Sequence, residues 1–95
     1  MDTAETTSLL SRLIGQVVVV DLKGPYVCLG TLVGYDAGFY EFADADLHDF
    51  RDSAASREVY IYDSVRLGIR RNRARVLVRI AEVVAITRFA DIATA

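Results

Sequence analysis

The chain has 95 residues, room for one small core and not for two. Hydrophobic residues make up 53% and charged residues 25%, a globular composition too apolar for a disordered tail. The formal charge of −2 excludes a polycation that holds nucleic acid by bulk charge alone. No apolar run reaches the ~18 residues that span a bilayer, and Met1-Asp2-Thr3-Ala4-Glu5 is acidic where a secretory signal is basic. With a single cysteine, Cys28, an internal disulfide is excluded and a cytoplasmic location is expected. One Cys and one His do not supply the usual ligand set of a structural zinc, so neither metal nor cofactor is expected.

In chain order, Asp2 and Glu5 have capping-box spacing, and Leu9, Leu10, Leu13 and Ile14 recur on one face of a helical period. A short helix over 1–14 is predicted, stopped by Gly15. Val17-Val18-Val19-Val20 then favours a strand, because β-branched side chains crowd a helix and suit a pleated surface. Such a strand is apolar on both faces, so both should be covered, one by a barrel interior and the other by the N-terminal helix. Lys23-Gly24-Pro25-Tyr26 reads as a turn. Residues 27–35 form a second strand, interrupted by Gly30 and Gly34, where a bend or close backbone approach is expected. Asp36-Ala37-Gly38 is a second turn, and Phe39 opens a third strand.

Residues 43–57 are polar and acidic and read as a strand end followed by a loop. Glu58-Val59-Tyr60-Ile61-Tyr62-Asp63 suits either a strand or a short helix ending at Gly68. Helix is the preferred reading, since another strand would compete with the clearer one that follows. That strand is Arg75-Val76-Leu77-Val78-Arg79-Ile80, and the next is Glu82-Val83-Val84-Ala85-Ile86-Thr87-Arg88. Only Ala81 separates them, which predicts a sharp bend of the kind found at the corner of a small barrel. Five short strands after one helix point to a small barrel.

These residues resemble the Sm/LSm-like family. Its first motif is matched by Ile14-Gly15, then Val18, Val20 and Leu22, then Gly30-Thr31-Leu32 and Tyr35-Asp36. Its second is matched by Val76-Leu77-Val78-Arg79, followed by Ile80, Val83 and Ile86. The chain departs from the pattern at three places. Tyr40 stands where many members carry a base-binding asparagine, Gly38 where many carry a stacking side chain, and Ile80 where the second motif has glycine. The resemblance implies a mostly β fold: a short N-terminal helix and a strongly bent five-stranded, SH3-like barrel, with a long irregular or helical insertion between the third and fourth strands. The whole chain, 1–95, is then one domain, with the helix at 1–14, the first motif at 15–44, the insertion at 45–75 and the second motif at 76–88. The resemblance further implies a homo-oligomeric ring in which the fourth strand of one copy pairs with the fifth of the next. That agrees with apolar end strands that lack the lysines and prolines that protect a free edge.

The family's function is to bind single-stranded RNA without catalysis. By resemblance, Arg79 would contact a base or phosphate, and Asp36 and Tyr40 would belong to the same pocket, with Tyr40 as a stacking platform. Asp36 also suits a structural role, holding its turn through backbone N–H groups. Arg66, Arg70, Arg71, Arg73, Arg75 and Arg79 form a run without an acid among them. Arg70, Arg71, Arg73 and Arg75 form an expected phosphate rim around Arg79, because guanidinium forks match phosphate geometry. The same arginines could instead pair with the acidic stretch that contains Asp36, Glu41, Asp44, Asp46, Asp49 and Asp52. His48 reads as a solvated loop residue and Cys28 as a small buried hydrophobe. No nucleophile–base pair, phosphate-cradling loop or metal-ligand spacing is present, so no enzyme is expected. The competing reading is a ring-shaped protein-interaction scaffold whose nucleotide pocket has been lost.

Overall fold

The computed structural model describes residues 9–93. Residues 9–11 are helical and run into a turn at 12–15; the rest of the predicted N-terminal helix lies outside the described residues. Five antiparallel strands follow: β1 (Val17–Leu22), β2 (Tyr26–Tyr35), β3 (Phe39–Asp49), β4 (Arg73–Arg79) and β5 (Val83–Arg88). Their order in the sheet is β4-β3-β2-β1-β5. Helix α1 (Arg57–Leu67) fills the insertion between β3 and β4.

The strongly bent barrel expected from the sequence does not form: the sheet is not closed. β4 bonds only to β3 and β5 only to β1, so these two strands are the edges of an open sheet, and no ladder joins them. The short link read as a barrel corner is a 3-10 turn, Ile80–Glu82, which delivers the chain from one edge to the other. Closure would need the outer N–H and C=O groups of β4 and β5 to pair, and the sheet order leaves these two strands at opposite ends.

Both faces of β1 are covered, as its unbroken valine run requires. Val18, Val20 and Leu22 join Cys28, Leu32, Phe42 and Val78 on one face, with Leu10 and Leu13 packed against them. Val19 joins Val27 and Leu29 on the other. The covering elements are not those expected. The N-terminal leucines lie on the first cluster, and the second is closed by Phe50, Tyr60, Ile61 and Ile69 from the insertion, with Phe89 and Ile92 from the C-terminal end. Cys28 sits fully buried near the start of β2, the central strand, where loss of solvent pushes its thiol up to about 12.

The segment at 58–68 is helical because both of its ends are capped. The Ser56 Oγ accepts the Val59 N–H (3.2 Å), and Gly68, at φ 101°, donates its N–H to the Ser64 carbonyl. Arg57 ties the start of α1 to β1 through Asp21 (2.7 Å).

β3 runs to Asp49, well beyond the predicted strand end, and carries His48 on the sheet rather than in a loop. Its ladder with β2 slips between Leu29 and Thr31. Gly30 lies at that slip, and a Cβ there would come within 3.0 Å of the Ala45 Cβ, which explains the glycine. Across the same irregularity Asp44 adopts a left-handed conformation (φ 50°), tolerated by aspartate.

Candidate nucleic-acid interface

The turn between β2 and β3 is held by one carboxylate. Asp36 Oδ1 accepts the N–H groups of Gly38 (2.8 Å) and Phe39 (2.9 Å), and the Asp36 N–H donates to the Phe39 carbonyl (3.0 Å). The two N–H bonds hold the Asp36 carboxyl below its usual range. Its bonds are therefore spent on the backbone, in the turn-holding role that the sequence allows. A Cβ at Gly38 would make only ordinary contact with the Asp36 carboxylate, 3.9 Å away, so the turn does not itself require glycine there.

The far end of β4 is brought to this turn. The Ile80 N–H donates to the Gly38 carbonyl (2.9 Å), and Arg79 is the register partner of Phe39. Side chains at register partners lie on the same face of a sheet. Phe39 is 39% exposed and Arg79 is also exposed. An aromatic ring and a guanidinium thus share one solvent-facing spot, beside a rigid turn that presents polar backbone.

Tyr40 points the other way. It is 8% exposed, faces Val78 across the ladder, and sets its ring against Tyr35 (6.5 Å) and Phe42 (6.4 Å). Phe39 is the aromatic that the sequence reading passed over. Its signal was strand alternation: adjacent residues on β3 face opposite sides, so one of Phe39 and Tyr40 had to point outward.

Alternation also sorts the arginines. Arg73, Arg75 and Arg79 share the outward face of β4 with the exposed Leu77, while Val76 and Val78 face the core. Arg70 and Arg71 precede the strand. Arg75 Nη1 meets Glu41 Oε2 at 3.3 Å, Arg71 pairs with Asp44, and Arg73 donates to the Asn72 carbonyl (3.1 Å). These pairs are exposed and worth little each. Among the described residues, no three His, Cys, Asp or Glu side chains are grouped as metal ligands, and no helix is long and apolar enough to cross a membrane.

No family model and no curated protein matches the chain. Solved structures do match. The Sm protein of Pyrococcus abyssii, in complex with a uridine heptamer, is 22% identical with a TM-score of 0.58, over 85% of this chain and 93% of that one. The SmAP (LSm) protein of Methanococcus vannielii is 19% identical with a TM-score of 0.57, over 92% and 98%. An Sm-like protein from Archaeoglobus fulgidus is 17% identical with a TM-score of 0.57, over 86% and 91%. The chain has the Sm-like fold.

Proposed function

We propose that this chain binds single-stranded RNA at the rim where Asp36, Phe39 and Arg79 meet, without catalysing a reaction, and that it does so as a ring of copies joined through β4 and β5. The observation that carries the reading is the register pairing of an exposed Phe39 with Arg79 beside the Asp36 turn. Phe39 would stack on a base in the place expected of Tyr40, since aromatic faces bind unstacked bases with little sequence preference. Arg79 would contact a base or phosphate, and Arg70, Arg71, Arg73 and Arg75 would add phosphate contacts. Asp36 shapes the turn. Support for a ring comes from two free strand edges on one small sheet. Support for RNA comes from the likeness to the Pyrococcus abyssii Sm protein, which was solved with a uridine heptamer.

The scaffold reading keeps one specific argument: Tyr40 is in the core, and Arg71 and Arg75 already hold acids. Fluorescence anisotropy with oligo-U at two salt concentrations separates the two. The RNA reading expects binding that weakens with salt, and a loss of about tenfold on Arg79→Ala with the oligomeric state unchanged. Absence of oligo-U binding at low salt supports the scaffold.

A further inference from the structure

Phe39 has two charged neighbours on its own face of the sheet. Arg79 is its register partner on β4. Glu41 follows it two residues along β3, and alternate residues of a strand share a face. Ladder bonds run across the strands, so one neighbour stands beside the ring and the other beyond it. The separations are about 5 Å between Cβ atoms across the ladder and about 6.8 Å along the strand. A base stacked on Phe39 therefore has a guanidinium near one edge and a carboxylate near another.

Both groups have bonds to give. Arg79 is exposed, and its guanidinium holds no ion pair or hydrogen bond among the described residues. The Glu41 side chain is 41% exposed and has one oxygen occupied, with Arg75 Nη1 3.3 Å from Oε2. Its Oε1 lies toward Gly34, the register partner on β2, which has no side chain to cover it. The other polar side chains of the rim are engaged. Tyr40 is turned into the core, and Asp36 Oδ1 already takes two N–H groups.

The face thus keeps its donors and its acceptors apart. A guanidinium only gives N–H groups, and a carboxylate only takes them. Guanine matches this arrangement: O6 and N7 are adjacent acceptors on one edge, and N1–H and the 2-amine are adjacent donors on the next. Cytosine answers a guanidinium with O2 and N3, but offers the carboxylate one amine only. Adenine turns an amine toward the guanidinium and a bare N1 toward the carboxylate. The single N–H of uracil stands between two carbonyls, which a carboxylate repels.

We propose that the Phe39 platform selects guanine in single-stranded RNA, with O6 and N7 toward Arg79 and with N1–H and the 2-amine toward Glu41. This rests on the RNA reading above and names the base that reading leaves open.

The test is fluorescence anisotropy with a labelled uridine heptamer and with three heptamers whose central base is guanine, cytosine or adenine. The guanine heptamer is expected to bind about tenfold more tightly than the uridine one, with cytosine between them. Inosine at the centre lacks the 2-amine and should lose part of the gain. Glu41→Gln replaces an acceptor with a donor, so the guanine advantage should vanish while uridine binding stays close to that of the parent. Arg79→Lys keeps the charge and loses the fork, so the advantage should fall while the salt dependence remains. Both side chains are exposed, and the thermal midpoints should match the parent. Equal affinity for the four heptamers overturns the proposal and leaves the RNA reading standing. So does a gain by adenine or cytosine as large as that by guanine, or a guanine advantage that survives Glu41→Gln. No binding by any heptamer at low salt overturns both.

Discussion

The two faces of the sheet are built on different principles. On one, Val18, Val20, Leu32 and Phe42 are fully buried and interlock without a polar group among them. On the other, Val19, Val27 and Leu29 are buried, but the cover is a capped helix whose inward residues, Tyr60 and Ile61, are half-buried and which encloses a polar cavity. The first face carries stability. The second is closed by half-buried side chains beside a cavity of about 650 Å³.

The largest test of that contrast is Phe42→Ala, which empties the centre of the denser face. A loss of about 3–5 kcal/mol in urea-unfolding free energy is expected. Ile61→Ala, under the helix, should cost roughly 1–2 kcal/mol, since its side chain is only half-buried and its surroundings can relax. Similar losses for the two would erase the distinction. Gly30→Val probes the join between β2 and β3. With Ala45 so close, a cost of roughly 1–3 kcal/mol is expected from the same unfolding measurement.

Hydrogen exchange sharpens the comparison on a local scale. Amides of α1 should exchange well ahead of those in β1 and β2, because a helix held through half-buried contacts opens without unfolding the sheet. Equal protection across α1 and β2 would place them in one cooperative unit.

The smallest effect concerns pH at the rim. The folded-state carboxyl of Asp36 lies below its ordinary value of 3.8. Its contribution is therefore present above the unfolded value and is lost as pH falls through the depressed folded value. The stability gap between the parent and Asp36→Asn should be constant at neutral pH and close only in strong acid. A gap that instead closed near neutrality would show that another group sets it.

Much of the sheet was legible from local chemistry. Four consecutive valines, the Lys23-Gly24-Pro25 and Asp36-Ala37-Gly38 turns and the glycine at position 30 each carry their own physical reason. That the sheet stays open was not legible, because closure depends on which strand each edge meets, and that is a property of the whole sheet. The length of β3 was hidden by composition: Asp44, Asp46, His48 and Asp49 look like a loop until α1 is placed over them. At the rim, Arg79 and Asp36 stood out by motif, while Phe39 needed the register to be known. The cavity was invisible, since His48 and Tyr60 are twelve positions apart and meet only through the fold.

The lone thiol on the central strand, β2, has a practical consequence. Thiolate is the reactive species, and at Cys28 it is both scarce and sealed from solvent. Alkylating reagents should reach it only when the strands come apart. Its labelling rate is then a built-in clock for opening of the whole sheet, needing no engineered probe.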